Sequence, residues 1–125
     1  MLVPADVEYA VREYLKPLLT VPVSSSLGAT ASQVVAFSVG GSEATLVSGR
    51  PRLVFDCYGE REAQAWTLAQ KAFGLVKDLD CRMIGGVQLY DVTATLPANL
   101  PHPDKPTLFR YQFNAIIHAR HVRAS

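Results

Sequence analysis

Along Arg50–Leu79 the spacing of apolar positions changes once, from a two-residue to a helical period. Leu53, Phe55 and Cys57 alternate with Arg52, Val54, Asp56 and Tyr58, as in a strand with one face inward. The Leu/Phe/Cys face is the better core face, so Cys57 reads as a small buried hydrophobe. Gly59 ends the strand, and Glu60 and Glu62 suit the positive pole of a helix that follows. Ala63, Trp66, Ala69, Gln70, Phe73 and Val76 line one side of that helix, and Ala65, Leu68, Ala72 and Leu75 widen the stripe. A stripe this broad is expected to meet a second helix as well as a sheet, with Trp66 in the packed face. Gly74, in the helix interior, costs about 1 kcal/mol against alanine and marks either a close approach or fraying.

The remaining segments add layers to this unit. Val7, Val11, Leu15 and Leu18 predict a helix over Ala5–Leu19, with Pro4 in its first turn and Pro17 ending it near Lys16. Val21–Val23 reads as a short edge strand because of Pro22. Gln33–Val39 reads as a strand, Gly40–Gly41 as a turn and Ala44–Val47 as the return strand, giving a hairpin with an exposed, mobile tip. Asp80–Ile84 is a connector, Gly85–Gly86 a turn, and Val87–Leu96 a strand. Pro97, Pro101, Pro103 and Pro106 then dictate an extended loop. Thr107–Arg120 is the longest strand: Phe109, Tyr111, Phe113, Ala115, Ile117 and Ala119 face one way, and Arg110, Gln112, Asn114, His118 and Arg120 the other. His121–Ser125 is expected to fray. The order predicts one α+β domain over residues 1–125. Its sheet is mixed but mostly antiparallel, with both helices packed on one face. Leu53–Tyr58 and Val87–Leu96, separated by a helix, are expected to run parallel through a crossover.

Composition narrows the function classes. Hydrophobic residues make up 49% and charged residues 18% of the chain, which fits a folded domain and suggests apolar surface covered by other subunits. The net charge of +1 gives no electrostatic commitment to nucleic acid or membrane. The N-terminus lacks the apolar run of a signal peptide, and no window reaches the roughly 18 apolar residues of a spanning helix, so synthesis in the cytosol is expected. Cys57 and Cys81 have no metal or redox spacing. His118 and His121 are three apart on a strand and point to opposite faces, and His102 sits among prolines. The carboxylates show no paired spacing. The run Arg110, His118, Arg120, His121 and Arg123 is locally basic and within reach of phosphate, but its aromatic neighbours lie on the opposite face. No catalytic, metal or cofactor motif emerges.

Several whole segments together resemble the tail terminator, or tail completion, proteins of long-tailed bacteriophages, especially those of actinobacterial hosts. They are the opening PADVEYAVREYL with its following V-P-V, the pattern FSVGGSEATLVSGRPRLVFDCYG, the helix EREAQAWTLAQKAF, the loop LPANLPHPDKPT and the final strand RYQFNAIIHAR. The resemblance implies a non-enzymatic virion protein of the tail or neck, made in the host cytoplasm, that needs no cofactor. It implies a homo-oligomeric ring, usually a hexamer, that caps the tail tube protein, stops tube growth and docks the head through a connector protein. DNA then passes through the lumen without sequence-specific binding. A closed ring needs heterologous contacts. The segments placed to reach a neighbour are the hairpin (Gly40, Gly41, Glu43, Arg50, Arg52), the proline loop (His102, Asp104, Lys105) and the last strand (Arg110, His118, Arg120). The alternatives are another neck component, such as a head-completion or adaptor protein, or a small ligand-binding domain or enzyme using Cys57 and a histidine.

Overall fold

A computed structural model of the chain describes residues 1–104 and 107–124. The elements are β1 (Leu2–Val3), α1 (Val7–Leu15), β2 (Val23–Ser24), β3 (Gln33–Thr45), β4 (Ser48–Gly59), α2 (Glu62–Lys77), β5 (Met83–Ile84), β6 (Val87–Ala94), β7 (Ala98–Asn99), β8 (Phe109–Arg120) and β9 (Val122–Arg123). The main sheet has the order β2-β3-β4-β8-β6-β5, with β7 continuing along β8, while β1 and β9 pair separately. Among the described residues only β2–β3 is parallel; the other pairs are antiparallel. The fold is therefore α+β with a mostly antiparallel sheet. β4 and β6 do run in the same direction across α2, but β8 lies between them, so they are not neighbours.

Both helices cover the same face, α1 over β2, β3 and β5, and α2 over β4, β8 and β6. One cluster of buried side chains joins them to the sheet. At its centre Phe55 and Phe113 stack at 4.7 Å between ring centroids, and Phe73 of α2 meets Phe113 edge-on at 5.6 Å. Leu53, Phe55 and Cys57 are fully buried.

Asp6 caps α1 by accepting a hydrogen bond from the Tyr9 backbone N–H at 3.0 Å. The helix stops at Leu15, earlier than Leu19, because Pro17 denies it a further turn. The stripe is cut accordingly: Val7, Val11 and Leu15 are buried, Leu18 is exposed, and Leu19 packs inward instead. In α2 the buried line is Ala65, Ala69, Ala72 and Val76. These small residues bring the helix close to the sheet. Ala63 and Gln70 are exposed and Trp66 is 39% exposed, lying against Tyr111 at 5.3 Å. The expected packed face was thus rotated by about one position. A Cβ on Gly74 would meet nothing within 4 Å, so no close approach explains that glycine.

Three further expectations are corrected. Gly40–Gly41 is not the hairpin turn. β3 runs through it with a bulge between Ser38 and Gly41, and the turn falls at Thr45–Ser48, so Ala44–Val47 is not a return strand. Gly41 has φ +139°, and any Cβ there would collide with the Arg50 carbonyl oxygen, so glycine is obligatory. Next, the chain end does not fray over its described part. Val122 and Arg123 pair with Val3 and Leu2, and His121 is buried. Finally, the outward face of β4 is buried at Val54, Asp56 and Tyr58. Asp56 accepts a hydrogen bond from Gln112 at 2.7 Å and lies 3.8 Å from the Arg110 guanidinium, while His102 sits over Tyr58. Burial, and after it the proximity of Asp56, pushes the Tyr58 phenol above its ordinary value.

Candidate functional site

The long β3–β4 hairpin and the end of β8 form an arm that collects most of the residues singled out from sequence. Register places Ser48 opposite Arg120 and Arg52 opposite Ile116, with Arg50 between them on the same face of β4. Ser42 pairs with Arg50, and Glu43 with Gly49. Gly40, Gly41, Glu43, Arg50, Arg52, His118 and Arg120 therefore share one end of the sheet. Arg110, His102 and Asp104 are at the other end, ten strand residues or roughly 33 Å away along β8. There the Arg110 Nε donates to the Leu100 carbonyl at 2.6 Å and the Asp104 N–H to His102 Nδ1 at 3.0 Å. Lys105 lies outside the described residues. The basic run from Arg110 to Arg123 is consequently not one cluster. Arg50, Arg52 and Arg120 instead make an arginine-bearing outer face, with exposed Val39 and Ile116 and a shallow cavity of about 350 Å³ against Arg50, Arg52 and Ile116.

Beside this face lies a polar string that sequence spacing gave no hint of. Asp91 Oδ1 is 3.0 Å from His118 Nδ1, His118 Nε2 is 2.9 Å from Ser48 Oγ, and Ser48 Oγ is 2.8 Å from Thr45 Oγ1. Thr45 Oγ1 also accepts from the Val47 N–H at 3.1 Å. One proton arrangement satisfies every member. Thr45 donates to Ser48, Ser48 to His118 Nε2, and His118 Nδ1–H to Asp91. The His118 hydrogen bond holds the Asp91 carboxyl below its ordinary value of 3.8. The order Asp–His–Ser matches that of a hydrolytic triad, but the surroundings do not. Ser48 is only 3% exposed, its oxygen is engaged by Thr45, and Asp91 is on the surface. The cavities along the arm open beside the string and are not lined by Ser48. What the string does is tie β6, β8 and β4 to the turn.

On the opposite side of the arm is a groove of about 460 Å³. Its walls are the N-terminal segment Leu2–Ala5 and the bulged root of the arm, and Ala119 and His121 form its floor. Gly49 makes room for the His121 ring, since a Cβ there would come within 3.3 Å of Nε2. Other chemistry is sparse. Cys57 is buried, and burial pushes its thiol far above the ordinary range, which removes it as a nucleophile. Among the described residues no group of three or more His, Cys, Asp or Glu is placed to hold a metal ion, and no helix is long and apolar enough to cross a membrane.

The sheet edges are treated unequally. The outer edge of β6 is closed by the connector after α2: the Cys81 N–H donates to the Tyr90 carbonyl at 2.6 Å, Asp80 accepts from the Val92 N–H at 2.8 Å, and Lys77 donates to the Val92 carbonyl at 2.9 Å. On β3, Arg12 donates to the Ala36 carbonyl and Glu8 accepts from the Ser38 N–H. Among the described residues, no strand of the main sheet lies outside β3 beyond Ser38.

These features define an α+β domain whose long hairpin is paired with β8 up to its turn and braced there by the polar string. No family model matches the sequence, and no curated protein matches it. Among solved structures, a chain in the virion of a native gene transfer agent particle shares the fold, with a TM-score of 0.64 at 13% identity over 92% of this chain and 93% of that one.

Proposed function

We propose that this protein is a ring-forming structural subunit of a phage-like virion, acting as the tail terminator that caps the tube and receives the head. The observation that supports this best is the near end-to-end likeness to a chain of a gene transfer agent virion, covering over nine-tenths of both chains. The whole-chain resemblance to tail terminators points the same way, and the arm offers exposed Val39, Leu46, Val47 and Ile116 beside its arginines as a surface for a neighbour. In this reading the ring is a homo-oligomer, with six copies expected. The tail tube protein lies on one side and a neck connector on the other, and DNA passes through the lumen without sequence-specific contact. The interface residues are those of the arm, Gly40, Gly41, Glu43, Arg50, Arg52, His118 and Arg120. The distal set of His102, Asp104 and Arg110 meets a different neighbour.

Deleting the gene from a virion-producing strain and imaging the particles tests the role. Overlong or unfinished tails beside filled, detached heads are expected. Leaking heads on tails of normal length would assign the protein to head completion instead, and normal particles would reject a virion role.

A further inference from the structure

The least explained feature of the arm is its tip. Turn positions favour glycine, asparagine, aspartate and other small polar residues. Here Leu46 and Val47 occupy the turn, and Leu46 is 86% exposed. The tip is also braced. The Asp91–His118–Ser48–Thr45 string holds its base, and the His121 N–H donates to the Val47 carbonyl at 2.8 Å. A braced apolar knob loses little conformational freedom on docking.

A complementary surface lies at the root of the same arm, in the groove walled by Leu2, Pro4, Ala5 and Pro51. The tip cannot fold back into it, because Gly49–Pro51, a few residues beyond Leu46 on the same hairpin, line that groove. Arg120, directly opposite Ser48, flanks the tip, whereas the groove is lined by one carboxylate, Glu43, together with the exposed Arg50, and Asp6 follows its Ala5 wall. Among the described residues, neither Arg120 nor Glu43 has an ion-pair partner within the chain.

We propose that Leu46 of one copy seats in the Leu2–Ala5/Pro51 groove of a second copy, with Arg120 of the first facing Glu43 of the second. This deepens the ring reading and rests on it. Tip and groove are different patches, so the contact is heterologous and propagates head to tail until the ring closes. Two turn residues bury far less than the ~800 Å² per partner of a standard interface. The contact therefore fixes register and direction within a larger interface.

Native mass spectrometry and light scattering of the full chain test this. The wild type is expected to form a closed oligomer, and Leu46→Asp to dissociate at concentrations about tenfold higher or more, with an unchanged monomer melting curve because Leu46 is exposed. Glu43→Arg should weaken assembly similarly, and the double variant Glu43→Arg/Arg120→Glu should restore it. Mixing Leu46→Asp with Ala5→Trp, which fills the groove, should give 1:1 dimers and no ring, because only one productive contact remains. An oligomer indifferent to Leu46→Asp and to the charge swap overturns the knob-and-groove contact while leaving the ring intact. A wild-type chain that stays monomeric at all accessible concentrations overturns both. If Ala5→Trp fails to fold, the charge swap decides the matter.

Discussion

Cys57 and Cys81 differ in little but their surroundings, and those surroundings fix their chemistry. Cys57 is sealed beneath α2 with its thiol pKa raised by burial, whereas Cys81 is exposed. In the folded protein one thiol per chain should react rapidly with a maleimide, and Cys81→Ser should abolish that fast phase; rapid labelling of Cys57 would show that the core opens. Gly74 is a second single-residue case. It sits in α2 with a helical backbone and open space where a Cβ would go. Gly74→Ala should raise stability by about 0.5–1 kcal/mol, measured by denaturant unfolding of a dissociated subunit. The sequence showed Cys57 facing inward but misplaced Trp66, because a helix stripe of alanines and large residues permits more than one rotation. The sheet chose the rotation that brings Ala65, Ala69 and Ala72 closest.

The hairpin is the element whose detail escaped the linear pattern. Two glycines between strand-like runs normally mean a turn. Here they carry β3 through a bulge, and the strand continues for four more residues, Ser42–Thr45. Gly41→Ala should cost about 2 kcal/mol or more, since it combines a positive φ with a backbone collision, and Gly40→Ala, at φ +96° with free space, should cost less. The brace on the tip has its own signature. Asp91 has a depressed carboxyl pKa, so its stabilising contribution is present above its unfolded value near 3.8 and lost as pH falls through the lower folded value. The wild type should therefore melt above Asp91→Asn at neutral pH, with a gap that begins to close only as pH falls below about 3.8 and vanishes below the lower folded value, as followed by thermal scans. A constant gap at all pH values would mean that Asp91 acts through packing alone.

At the scale of the molecule, local periodicity was enough to determine a great deal. It specified two helices, the breaking of the first near Lys16 by Pro17, the inner faces of β4 and β8 and the α+β class. Each of these depends on neighbours a few residues apart, whose side-chain directions are set by helical or strand geometry. Only the tertiary structure decided that β8 separates β4 from β6, that the chain ends pair as β1 and β9, and that Asp91, His118 and Ser48 form one string. Those outcomes depend on which distant backbone groups satisfy one another. Hydrogen-bond partners 27 and 70 residues apart leave no trace in local spacing. The same holds for the arm: arginines scattered along the sequence became one face, and an apolar turn became a braced knob, only once strand register had aligned them.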